Sequence, residues 1–145
     1  MSDEVHYYQT AVQWKEGRVG ELSEPTMHSI TVATPPEFAK GVPNIWSPEH
    51  LFVASVNVCL MTTFLAIAEN SKLDFISYRC DSKGKLEKVE GKFMISEIEL
   101  FPEIVVKDEK DIERAERIIQ KSELHCLISN SVKSKISLSP KIIVG

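Results

Sequence analysis

No block of lysine and arginine occurs in this sequence. Its 17 basic residues are scattered among 21 acidic ones for a net charge of −4. Without a basic stripe there is nothing to neutralise a row of phosphates, so nucleic acid is set aside as a partner. Glycine (6) and proline (7) are too few for a fibrous or low-complexity chain, and no internal repeat is visible. Cysteine is scarce and odd in number: Cys59, Cys80 and Cys126 are too widely spaced for the disulfide framework of a small secreted domain. The stretch Met1 to His6 is acidic and polar, where a secretory signal would be basic and then apolar. A cytoplasmic protein is expected, whose thiols are either inert core groups or chemistry. Metal-ligand spacings are missing too. His125 beside Cys126 has no Cys-x-x-Cys or His-x-x-x-His partner, so no zinc site is expected, and His6, His28 and His50 read as ordinary polar side chains.

What is there is ordinary globular material: 145 residues, 43% apolar and 26% charged, read as one domain over 1–145 that buries roughly two thirds of its unfolded surface. Leu51 to Ala68 is 18 residues without a formal charge, the minimum length of a membrane helix. The run contains Ser55, Asn57, Thr62 and Thr63, and its flanks carry no Lys or Arg bias, so no membrane partner is expected. A helix apolar on nearly all sides in a soluble protein is one covered on nearly all sides.

Three strands are expected first, over Val5 to Trp14, Arg18 to Leu22 after a Lys15-Glu16-Gly17 turn, and Met27 to Thr34, where apolar and polar residues alternate. Pro35, Pro36, Gly41 and Pro43 mark an irregular connection. A helix then opens at Ser47-Pro48-Glu49: serine caps it, proline at the first position loses no hydrogen bond, and the glutamate faces the positive end of the dipole. It should run to about Asn70. Asp74 to Ser82, Lys85 to Val89 and Lys92 to Val106 read as strands separated near Gly84 and Gly91. Asp108 should cap an amphipathic helix from Glu109 to about Ser122. A helical turn at Cys126 to Lys133 and a last strand, Lys135 to Val144, complete the order βββ-α-βββ-αα-β. Strands in runs indicate α+β.

Taken alone, Cys59 inside the apolar helix is an ordinary small core hydrophobe. Cys126 differs, because it opens a polar helical turn where free backbone N–H groups favour a thiolate. Cys80 has no motif around it and reads as structural. The aromatics Phe38, Trp46, Phe52 and Phe64 read most simply as core, or as an apolar funnel beside a reactive thiol.

The run Ser47-Pro48-Glu49-His50-Leu51-Phe52-Val53-Ala54 to Cys59 resembles the Pro-Glu-x-Leu-(apolar)-Ala...Cys helix of the OsmC/Ohr family, the osmotically induced and organic hydroperoxide resistance proteins. Cys126 to Lys133 is similar to that family's second cysteine segment, and Arg18 falls where the family has its active-site arginine. Leu127 stands where proline is usual and His50 follows Glu49, which points to an OsmC-like branch. The resemblance implies antiparallel sheets around a long buried central helix in an intertwined homodimer. It also implies a thiol peroxidase acting on organic, and also hydrogen, peroxides in oxidative or osmotic stress defence. Cys59 would be the peroxidatic thiol, Cys126 the resolving thiol that forms a disulfide with it, and Arg18 with Glu49 the pair that activates Cys59. The partners implied are a hydroperoxide and a thiol reductant, such as a dithiol of the lipoyl type. No metal, flavin or haem is implied. The alternative is a dimeric scaffold or small-ligand binding protein of the same fold without turnover.

Physics agrees with those roles. A thiol is mostly protonated at neutral pH and burial makes ionisation costlier, so a nucleophilic cysteine in an apolar helix needs a positive neighbour. An arginine fork can hold a carboxylate with one edge and offer donors to sulfur or peroxide with the other. Ten residues of straight helix, however, separate Glu49 from Cys59 by about 15 Å. Either the helix breaks between them, or Glu49 and Arg18 serve the Cys59 of a second subunit.

Overall fold

The computed structural model describes residues 4–145; Met1 to Asp3, part of the polar N-terminal stretch, lie outside the described residues. The described residues form two compact units that divide between Leu51 and Phe52.

In the first unit β1 (Ala11–Glu16), β2 (Val19–Ser23) and β3 (Ile30–Ala33) make an antiparallel sheet in that order. The outer strands are shorter than the alternation suggested because β2 offers five residues: Ser23 pairs with Ala11 and Leu22 with Ile30, which leaves residues 5–10 and 27–29 no ladder partner. Gly17, at φ +51, makes the β1–β2 turn with Arg18, and the Trp14 indole N–H donates to the Gly17 carbonyl at 3.0 Å. The proline-rich connection lies along the end of β3, held by Ala33 N–H to Trp46 O and Val42 N–H to Thr34 O, both 2.9 Å.

α1 (Pro48–Asn70) opens as expected. The Ser47 oxygen accepts the His50 backbone N–H at 3.2 Å and lies 2.7 Å from His50 Nδ1, a cap that also closes on the third helical residue. The helix is continuous, and the Lys72 N–H to Glu69 O and Leu73 N–H to Ala68 O bonds end it.

In the second unit β4 (Phe75–Val89) and β5 (Lys92–Val106) form a long antiparallel hairpin through the positive-φ pair Glu90 and Gly91. β6 (Lys135–Leu138) and β7 (Lys141–Val144) both run parallel to β5, so this sheet is mixed rather than antiparallel. Two expectations are corrected here. Gly84 does not break the strand; it lies in β4 opposite Ile98, and a side chain there would collide with Val53 of α1. The last strand divides at Ser139-Pro140, since proline cannot continue the ladder. Pro102 falls in the interval of β5 that neither β6 nor β7 pairs. α2 (Ile112–Leu124) follows a 3-10 turn over Glu109–Asp111, which Asp108 caps by accepting the Lys110 N–H at 3.1 Å. The observed order is therefore βββ-α-ββ-α-ββ, still α+β.

The core joins Val56, Leu60, Phe64 and Ala68 of α1 to Ile98, Leu100, Ile104 and Val106 of β5 and to Ala115, Ile118 and Ile119 of α2. Each fully buried large apolar side chain contributes about 1.5–3 kcal/mol. Phe64 is the one of the four flagged aromatics that is fully buried, stacked on Tyr78 with ring centroids 5.1 Å apart; Trp46 is 53% exposed. α1 covers one stripe only. Val58, Met61 and Leu65 leave an apolar face open, with Val58 55% exposed.

Candidate functional site

α1 carries Cys59 at the edge of its buried stripe, 7% exposed, with the Thr63 hydroxyl one turn on at 4.0 Å from the sulfur. Cys126 follows the end of α2, fully buried, in a turn held by its own N–H to Glu123 O at 3.2 Å and by Asn130 N–H to Cys126 O at 3.1 Å. α1 and α2 share one core, and the Cys59 thiol is among the groups that raise Cys126. Both are free thiols. The first correction at this site concerns Cys126. Burial, and then the Cys59 thiol, push it up from the ordinary cysteine value, with the Ser129 hydroxyl and N–H pulling it partly back. The Ser129 N–H, at the start of the 3-10 segment Ser129–Ser131, does act on the sulfur, but burial outweighs it.

Cys80 belongs to this region, which the sequence reading missed. Tyr78, Cys80 and Ser82 share the face of β4 turned to α1, where Asn57 donates to the Cys80 carbonyl at 3.0 Å and to the Ser82 hydroxyl at 3.1 Å. The Tyr78 hydroxyl is buried, has no partner in bonding geometry, and feels the thiols of Cys80 and Cys126. Burial above all holds it, and the Cys80 thiol, above their ordinary values. The alternation Tyr78-x-Cys80-x-Ser82 was the available signal.

In the first unit, Arg18 and Glu49 line one cleft of about 440 Å³ together with Thr34 and Phe38. Glu49 has a buried carboxylate oxygen, Oε1, without a partner, and none of the ion pairs among the described residues includes Arg18 or Glu49. Arg18 is the cation among the residues lining that cleft, so it is the group able to satisfy the orphaned oxygen with a charge-assisted bond. Arg18 also borders an apolar groove of about 610 Å³ lined by Val12, Trp14, Leu22 and Val32. A guanidinium there stands between a carboxylate and an apolar surface.

Among the described residues no group of three or more His, Cys, Asp or Glu side chains is arranged to hold a metal ion. His125 is exposed at the end of α2.

Residues 41–141 match the family model of OsmC-like proteins. An uncharacterized protein of Bacillus subtilis, YmaD, is 23% identical over 138 residues, 92% of this chain and 91% of its own. An OsmC-like protein of unknown function from Vibrio cholerae superposes with a TM-score of 0.86 at 22% identity, covering 94% of this chain and 99% of that one. A protein from Elizabethkingia anophelis described as an organic hydroperoxide resistance protein does so with a TM-score of 0.78 at 20% identity, covering 99% and 100%. These structural likenesses establish the fold.

Proposed function

Because the chain belongs to the OsmC-like proteins, we propose that it is a cytoplasmic thiol peroxidase that reduces organic hydroperoxides in defence against oxidative and osmotic stress. The observation that carries this reading is the pair of buried free thiols in a member of this family, Cys59 and Cys126, the first of which raises the second. The Cys59 sulfur attacks one peroxide oxygen; an S–O bond forms, the O–O bond breaks, and the alcohol leaves with a proton. Cys126 then attacks the Cys59 sulfenic acid, forming a disulfide and releasing water. An external dithiol restores both thiols. Arg18, which lines one cleft with Glu49, offers its N–H donors to the peroxide oxygens, and the apolar groove beside Arg18 favours an organic substituent over hydrogen peroxide.

The experiment is peptide mapping after one equivalent of cumene hydroperoxide and alkylation of the remaining thiols. A Cys59–Cys126 bridge is expected, with Cys80 alkylated. Free Cys59 and Cys126 after exposure to peroxide would favour the non-enzymatic scaffold instead.

The active species in this reading is a homodimer. The break that could fold Glu49 back toward Cys59 along α1 does not occur, since α1 is continuous. The activating pair of one copy therefore serves the Cys59 of the other. The open apolar face of Val58, Met61 and Leu65 is the surface available for that contact. Light scattering at micromolar concentration should give twice the chain mass; a fully active monomer would refute it.

A further inference from the structure

α1 and α2 contain four hydroxyl side chains, and three of them are satisfied by the helix that carries them. Ser55 donates to the Phe52 carbonyl at 2.7 Å, Thr62 to the Cys59 carbonyl at 3.1 Å and Ser122 to the Ile118 carbonyl at 2.6 Å. Such back-bonding is the ordinary fate of a helical hydroxyl. Among the described residues Thr63 is the exception in these helices. The carbonyl one turn before it belongs to Cys59, which Thr62 already uses, and the Thr63 oxygen lies instead 4.0 Å from the Cys59 sulfur. Helical side chains tilt toward the N-terminus, so a residue four places on leans back over its neighbour. The separation is too long for a bond between two oxygens, and it is the span that one oxygen added to the sulfur would fill. An S–O bond and an O–H···O bond of about 2.7 Å, meeting at a bent oxygen, cover it.

We propose that Thr63 is a catalytic residue of the second step: its hydroxyl donates to the oxygen of the Cys59 sulfenic acid and holds that oxygen as it leaves. The proposal rests on the peroxidase reading and adds a group to the same site. As the Cys126 sulfur attacks the Cys59 sulfur, the S–S bond forms, the S–O bond breaks, and the electron pair of the broken bond stays on the departing oxygen. A fixed donor at that atom lowers the barrier because negative charge grows there. The proton of the Cys126 thiol joins the departing hydroxide, water leaves, and Thr63 keeps its own proton. No oxidant or reductant beyond the first peroxide is consumed. The first step leans less on Thr63, since its charge develops on the alcohol oxygen of the peroxide, which never bonds to sulfur.

The test follows the two steps separately by rapid quench after one equivalent of cumene hydroperoxide. Dimedone trapping reads the sulfenic acid, and alkylation followed by intact mass reads the bridge. Thr63→Val removes the hydroxyl and keeps the branched shape and the helix preference. It should slow bridge formation about tenfold or more, with the first step slowed far less, so that sulfenic acid accumulates. Thr63→Ser restores the hydroxyl without the methyl and should recover most of the bridge rate. A purely structural role would slow both steps alike and lower the urea midpoint. A Thr63→Val protein with the wild-type bridge rate, or with both steps slowed equally, overturns the proposal and leaves the peroxidase reading standing. A wild-type protein whose Cys59 is never oxidised overturns both.

Discussion

Replacing Cys59 by serine should remove hydroperoxide turnover, by about four orders of magnitude or more, because the reaction has no other first step. Replacing Cys126 should do something different. The Cys126→Ser protein should consume one equivalent of peroxide per chain and stop, since Cys59 is oxidised but cannot be resolved. With excess peroxide, Cys59 should then gain a second and third oxygen, which intact mass reads directly. The contrast between the two variants matters more than either loss. If both merely weakened the fold, both would lose the first equivalent as well. Cys126 is fully buried and Cys59 nearly so, and serine in place of an apolar thiol costs stability, so each variant is compared with its alanine counterpart. A Cys59→Ala protein that still turns over peroxide would remove Cys59 from the mechanism.

Arg18→Lys should lower turnover roughly 100- to 1,000-fold, the usual cost of losing one well-placed donor to a developing negative charge. The charge is kept; the fork is lost. Lysine can meet the orphaned Glu49 oxygen or the peroxide, but not both in fixed geometry. Stability should hardly change, because Arg18 is exposed in a turn and makes no ion pair among the described residues. Exposed substitutions of this kind stay within about 0.5 kcal/mol. Initial rates and urea midpoints measured on the same preparations check the pair of expectations. An Arg18→Lys protein with the wild-type rate would make the residue an ordinary turn position and undo the activation scheme with it.

Local chemistry made some of this readable. Ser47-Pro48-Glu49 carries cap, first position and dipole partner in three consecutive residues, so the start of α1 could be placed to the residue. Gly84 was misread because a glycine between polar residues suggests a turn, whereas here its missing side chain admits Val53 from a helix thirty residues earlier. Only the tertiary contact explains it. The alternation across Lys135 to Val144 hid the division at Pro140, since both halves point the same way toward β5. At the site, residue types and the order of Glu49, Cys59 and Cys126 carried the resemblance. Burial did not show, so the setting of Cys126 was read with the wrong sign.

The arrangement of β5 also sets a folding order. One flank of this strand is satisfied by β4, its neighbour across a tight turn, but the other waits for β6 and β7, which begin some thirty residues later, beyond α2. Hairpin closure is local and fast, whereas parallel pairing must first overcome the entropy of the long intervening loop. During synthesis the chain therefore passes through a stage in which β5 presents an unpaired edge carrying Ile98, Leu100, Ile104 and Val106. Such edges recruit other chains. The ten residues from Lys135 to Val144 thus act as the protein's own cover against misassembly, and the vulnerable interval lasts until they have left the ribosome and paired with β5.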